Sequence, residues 1–240
     1  MKKGRMIWAA VLALILLVGG LGTEGPAGAA APEIQIVREQ VGDGKLFLPQ
    51  LAGLADPERQ ATLNSALRDA VLAFNNPSPD STLQGDFTVS FYNGELLGIH
   101  FRGYSFTRGT AHPNKIDRGI HLDLATGQIY ELKDLFRPDV DFAGAVRQQC
   151  DRNREAYRLQ IAGLWDEWRH EEFIRSWRGA DAAFLLSDDA VRVYSIPRYA
   201  TGAISGYRVP FADLREIIDQ SGSLWQKLQA QPNRPVSVRQ

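Results

Sequence analysis

The chain has 240 residues, with 27 Lys and Arg against 28 Asp and Glu and a formal net charge of −1, which leaves room for one large domain or two small ones. Its 44% hydrophobic and 23% charged residues are a globular composition and exclude wholesale disorder and a polytopic membrane protein. The charge is balanced and no long basic run occurs, which argues against a dedicated nucleic-acid binder, because neutralising phosphates takes a local excess of Lys and Arg.

The chain opens on Lys2, Lys3 and Arg5, followed by an uncharged apolar run from Ile7 to Leu21. This is the layout of an export signal, and Ala27-Gly28-Ala29 supplies the small-x-small pattern of a cleavage site, so residues 1–29 are expected to be removed before Ala30. The alternative is an uncleaved anchor over residues 7–31 with the basic end held in the cytoplasm. Both readings place the remainder outside the cytoplasm, secreted or membrane-anchored, and loss of the leader lowers the net charge from −1 to −3. Cys150 is the only cysteine, so the core must stabilise the fold without an intramolecular disulfide.

Beyond the leader, Ile34, Ile36 and Val37 and then Leu46-Phe47-Leu48 predict two short strands about the Gly42-Asp43-Gly44 turn. Asp56-Pro57 is a helix start, and Leu63, Leu67, Ala70, Val71 and Phe74 continue at helical spacing. From Asp86 to Thr107 two alternating runs flank Asn93-Gly94. A three-residue loop or a bulge pairs Phe87 with Phe101, Asp86 with Arg102 and Thr88 with His100, and leaves Tyr104 on the polar face. A third strand alternates Ile116, Ile120 and Leu122 with Asp117, Gly119 and His121. Phe142, Val146, Cys150, Tyr157, Ile161, Leu164 and Trp168 then predict one long amphipathic helix over residues 141–177. A hairpin about Ser187-Asp188-Asp189, a last strand at Tyr207 to Phe211 and a short helix at Ala212 to Gln220 close the domain, and residues 231–240 are expected to be disordered.

The expectation is an α+β fold in which antiparallel sheet segments pack with one medium and one long helix in two sub-domains, residues 30–92 and 93–230. The segment Arg108-Gly109-Thr110-Ala111-His112-Pro113-Asn114 joins two strands and lacks the spacing of a phosphate loop. His112 either braces this connection or meets a ligand. His100, His112 and His121 come from different segments without the close spacing that fixes metal ligands, so no metal site is expected. No Gly-x-Ser-x-Gly elbow is present, and neither a catalytic residue nor a cofactor is expected.

Three motifs, Gly109-Thr110-Ala111-His112-Pro113-Asn114, Asp123-Leu124-Ala125-Thr126-Gly127 and Leu132-Lys133-Asp134-Leu135-Phe136, follow one another in residues 101–136. In this order they resemble the extracytoplasmic domain of RsiV-type anti-sigma factors, a domain of unknown function also attached to some peptidoglycan deacetylases. Phe184 to Tyr194, Tyr199-Ala200-Thr201-Gly202 and Val209 to Leu214 resemble the same family's closing hairpin and helix, and residues 33–92 resemble its N-terminal companion domain. Only Met1 to Arg5 precedes the apolar run, so the sigma-binding segment of such a factor does not carry over, and no residues remain for a deacetylase domain. The resemblance implies a non-catalytic module facing the cell envelope that recognises a protein, lysozyme in the family's case, or a peptidoglycan fragment. The candidate binding residues are Arg102, Tyr104, His112, Asn114 and Tyr199. The competing expectation is an envelope hydrolase that uses His112 with a carboxylate such as Asp117.

Overall fold

Alternating apolar side chains and well-placed turn residues set the first half of the molecule. The computed structural model describes residues 34–76, 78–159, 167–179, 183–195 and 205–239; the leader with its cleavage site, part of the predicted long helix and Tyr199 lie outside them. Strands β1 (Gln35–Val41) and β2 (Leu46–Ala52) form the first hairpin, with Gly42 and Gly44 at positive φ in its turn. Helix α1 (Pro57–Leu72) starts where the sequence places it: the Asp56 carboxylate accepts from the backbone N–H groups of Glu58 and Arg59 at 3.0 and 3.1 Å. β3 (Ser81–Tyr92) and β4 (Leu96–Thr107) pair antiparallel with Phe87 opposite Phe101, Asp86 opposite Arg102 and Thr88 opposite His100. Of the two expected devices the bulge is the one present: it lies at Ser90, and beyond it Phe91 stands opposite Gly98 and Tyr92 opposite Leu97.

β5 (Asn114–Asp123) and the short β6 (Ile129–Tyr130) complete a seven-stranded sheet of order β10-β1-β2-β3-β4-β5-β6. One face of this sheet packs on α1, where Ile36, Leu48, Leu63, Leu67, Val71, Leu97, Ile99 and Phe101 form a core. β7 (Ala183–Leu186), β8 (Ala190–Ser195) and β9 (Ser205–Pro210) make a separate antiparallel sheet. Val191, Val193, Tyr207 and Val209 of that sheet bury a second core together with Phe91, Val146, Cys150 and Phe173. The architecture is mixed α and β, with ten strands in two sheets and six helices among the described residues. No described helix is long and apolar enough to cross a membrane.

Three features differ from the sequence expectation. The long helix is broken into α2 (Phe142–Arg152), the single turn α3 (Arg154–Tyr157) and α4 (Glu167–Ser176). Its apolar spacing continues past Asn153, but the chain turns extended at Arg158, which bridges Tyr207, while the Leu159 N–H donates to the Gly206 carbonyl at 2.9 Å. Strand pairing with β9 thus outcompetes helix continuation. The final segment is placed rather than disordered: after α5 (Phe211–Leu214) and α6 (Ser223–Ala230), β10 (Val238–Arg239) lies parallel to β1 with Ile36 opposite Val238. Lastly, the described residues form one unit, and the boundary drawn at residues 92 and 93 falls in the β3–β4 turn, so the two expected sub-domains share one sheet.

Candidate functional site

β4 runs through the interior of the large sheet, hydrogen-bonded to β3 on one side and β5 on the other. Its alternate residues Gly98, His100, Arg102, Tyr104 and Phe106 share the face opposite α1. The second sheet covers the part of this face nearest the hairpin turn. There β7 lies so close to Gly119 that an ideal Cβ on that glycine would stand 1.9 Å from the Phe184 carbonyl oxygen, and the His121 ring stacks on Phe184 at 4.3 Å. His121 is consequently fully buried, not on a polar surface as alternation alone implies.

Past this cover the face opens. Arg102 is exposed, and Tyr104 and Phe106 are 47% and 41% exposed. Cross-strand register surrounds them with Asp86 and Asp117 beside Arg102, Gln84 and Lys115 beside Tyr104, and Thr82 beside Phe106. Both carboxylates are engaged. Asp117 Oδ1 lies 2.7 Å from His100 Nε2. Asp86 is gripped by the Arg38 guanidinium; desolvation works to raise its pKa, but the hydrogen bonds from Arg38 and from the Phe87 N–H hold it below the usual carboxylate value. Arg102 and Lys115 form no ion pair among the described residues. At the rim of the second sheet stands Tyr194, whose phenol burial raises in pKa and whose nearby charges are Arg192, Asp117 and Arg102.

The candidates chosen from sequence separate accordingly. Arg102 and Tyr104 stand together on the open face. His112 sits apart, exposed in the turn that follows Gly109 at φ +88°, and its ring has no partner among the described residues. The expected bracing by both its nitrogens is therefore not formed. Asn114 pairs with Ser105, one position out of phase with Tyr104, and so belongs to the opposite face. The His112–Asp117 pair of the hydrolase alternative is also not formed, because Asp117 is taken by His100. The sequence reading overlooks Phe106, Lys115 and the His100–Asp117 contact, all of which follow from carrying the alternation of β4 and β5 two residues further in each direction.

Elsewhere the resemblance motifs serve the fold. Asp123 caps the Ala125 and Thr126 N–H groups at 2.7 and 3.1 Å and accepts from the Tyr130 hydroxyl at 3.0 Å, with Lys227 Nζ at 3.3 Å. Glu131 and Asp134 close a capping box around the 3₁₀ turn Leu132–Leu135. His170 bridges the Tyr207 hydroxyl (2.6 Å) and Asp151 Oδ1 (3.0 Å) at the edge of a 420 Å³ cavity that Arg154, Glu171 and Ile174 also line. No group of three or more His, Cys, Asp or Glu residues is placed to hold a metal ion among the described residues.

No family model matches the chain, and no curated protein does. A solved structure of a DUF3298 family member from Bacteroides fragilis is similar to it over 84% of this chain and 99% of that one, with a TM-score of 0.57 at 14% identity. A DUF3298 family protein from Pseudomonas aeruginosa is similar over 85% and 95%, with a TM-score of 0.49 at 18% identity. The chain thus shares its fold with the DUF3298 protein of Bacteroides fragilis.

Proposed function

We propose that the chain is a non-catalytic, RsiV-like binding module of the bacterial cell envelope, exported by its leader and recognising an envelope protein or a peptidoglycan fragment. One observation carries this reading: two exposed aromatic rings and an exposed Arg102 stand beside a half-buried Lys115 on a sheet face whose other half is packed under a second sheet. Exposed aromatics beside Arg are the composition of recognition surfaces. The rigid, interior placement of β4 supports it further, because a binding residue is most sharply held on a strand paired on both sides.

The test is site-specific crosslinking in cells. A photoreactive phenylalanine analogue in place of Tyr104 should capture envelope material, whereas the same analogue in place of Leu72, exposed on α1, should not. Equal capture from both positions, or none from position 104, would remove the open face from the binding role.

A further inference from the structure

We infer that the open half of the β4 face takes the glycan strand of peptidoglycan rather than a protein segment, with sugar rings on Tyr104 and Phe106 and a ligand carboxylate at Arg102 and Lys115. This rests on the binding-module reading above and names the ligand of the same site.

Three observations separate a glycan from a protein partner. The backbone of β4 is fully paired beside Tyr104, with Gln84 on one side and Lys115 on the other, so a partner chain has no free strand edge to extend there. The two rings are also isolated. They lie two residues apart, about 7 Å along the strand, and their cross-strand neighbours are Thr82, Gln84 and Lys115, so the described residues form no contiguous apolar centre of the kind a protein hot spot requires. A pyranose has the complementary form: an apolar C–H face that stacks on a ring, edged by hydroxyl and amide groups that meet polar side chains.

Charge completes the assignment. Asp86 is paired with Arg38 and Asp117 is hydrogen-bonded to His100, while Arg102 and Lys115 add two cations that form no ion pair among the described residues, with Arg192 on the adjoining rim. A chain of formal net charge −1 therefore presents a local positive excess beside its two exposed rings. Peptidoglycan supplies the matching anion through the carboxylates of its stem peptides and, on sugars from which the stem has been removed, through the lactyl carboxylate of muramic acid.

The full-length chain is titrated calorimetrically with a tetrasaccharide of alternating N-acetylglucosamine and N-acetylmuramic acid, and with chitotetraose as its neutral counterpart. The acidic sugar should bind about tenfold more tightly, and Arg102→Gln with Lys115→Gln should remove that preference. Tyr104→Ala with Phe106→Ala should abolish binding of both sugars, while Tyr104→Phe, which keeps the ring, should retain it. Unchanged melting temperatures confirm that these substitutions leave the fold intact. Equal affinity for the two sugars, or affinity unaffected by the ring substitutions, overturns the assignment. Absence of sugar binding together with crosslinking of an envelope protein at position 104 overturns the glycan and leaves the binding module standing; absence of both overturns the two readings together.

Discussion

Placing an imidazole beneath a second sheet forces a choice of protonation state. His121 Nε2 accepts from the Leu186 N–H at 3.2 Å, so Nδ1 must carry the proton, and it has no partner. Desolvation lowers the pKa of this group from 6.5 to about 3, and a second proton would also abolish the acceptor that Leu186 uses. The unfolded chain takes up a proton below pH 6.5 that the folded chain refuses until about pH 3. Stability therefore falls as the pH drops through that window, by about 1.4 kcal/mol per pH unit, and is unaffected by this group above it. Denaturant unfolding at pH 6.5 and 5.0 should show that loss, and His121→Gln should reduce it by most of its size; an equal pH dependence in the variant would mean that other groups carry it. The same residue shows where sequence reading stops. Alternation correctly sets His121 on the side of β5 opposite Ile120 and Leu122, yet no local pattern reveals that β7, more than sixty positions away, closes over it. Arg102 and Tyr104 were legible because the second sheet ends short of them.

Elements that pair locally follow their own sequence, and those that pair at long range do not. The β3–β4 register is legible up to the bulge because Phe87 opposite Phe101 and Val89 opposite Ile99 keep both apolar rows on one face, whereas the bulge at Ser90 sets Phe91 opposite Gly98 and into the other core. The final segment is illegible for the opposite reason: its polar, Pro-containing residues have no periodicity, and their partners stand at the other end of the chain. Tyr92 N–H donates to Asn233 Oδ1 at 2.9 Å, the Arg234 N–H donates to the Tyr92 carbonyl at 2.7 Å, and the Arg234 guanidinium covers the Tyr92 ring at 5.0 Å. The Ile36 N–H donates to the Ser237 carbonyl at 3.0 Å. Removing residues 232–240 deletes these partners and strips the edge from β1. At about 1 kcal/mol for each hydrogen bond, the truncated chain should lose about 2–3 kcal/mol in denaturant unfolding. A loss below about 0.5 kcal/mol would show that the tail rests on the sheet without supporting it.

At the scale of the molecule, everything that shapes the open face depends on how closely the small sheet seats on the large one. The contact passes over a position without a side chain: Gly119 lies beneath the Phe184 carbonyl and beside the Leu185 side chain. The glycine at position 119 is required by proximity and not by backbone angle, since its φ is not positive while that of Gly109 or Gly127 is. A methyl group there, 1.9 Å from a backbone oxygen, cannot be accommodated by a side-chain rotation, so β7 must lift away from β5 or the large sheet must bend. Lifting would also part the His121–Phe184 stack and the Leu186 hydrogen bond. Gly119→Ala should therefore cost on the order of 3 kcal/mol in thermal or denaturant unfolding, at the upper end of overpacking losses. In the same variant His121 should become accessible to solvent and titrate closer to its ordinary value of 6.5, a shift that NMR of the ring protons would follow. Gly109→Ala serves as the control: it imposes a positive-φ penalty of about 1 kcal/mol in an exposed turn and should leave the His121 titration unchanged. Normal stability in Gly119→Ala would mean that the two sheets do not meet as closely as this packing requires, and the boundary between the covered and open halves of the face would then have to be redrawn.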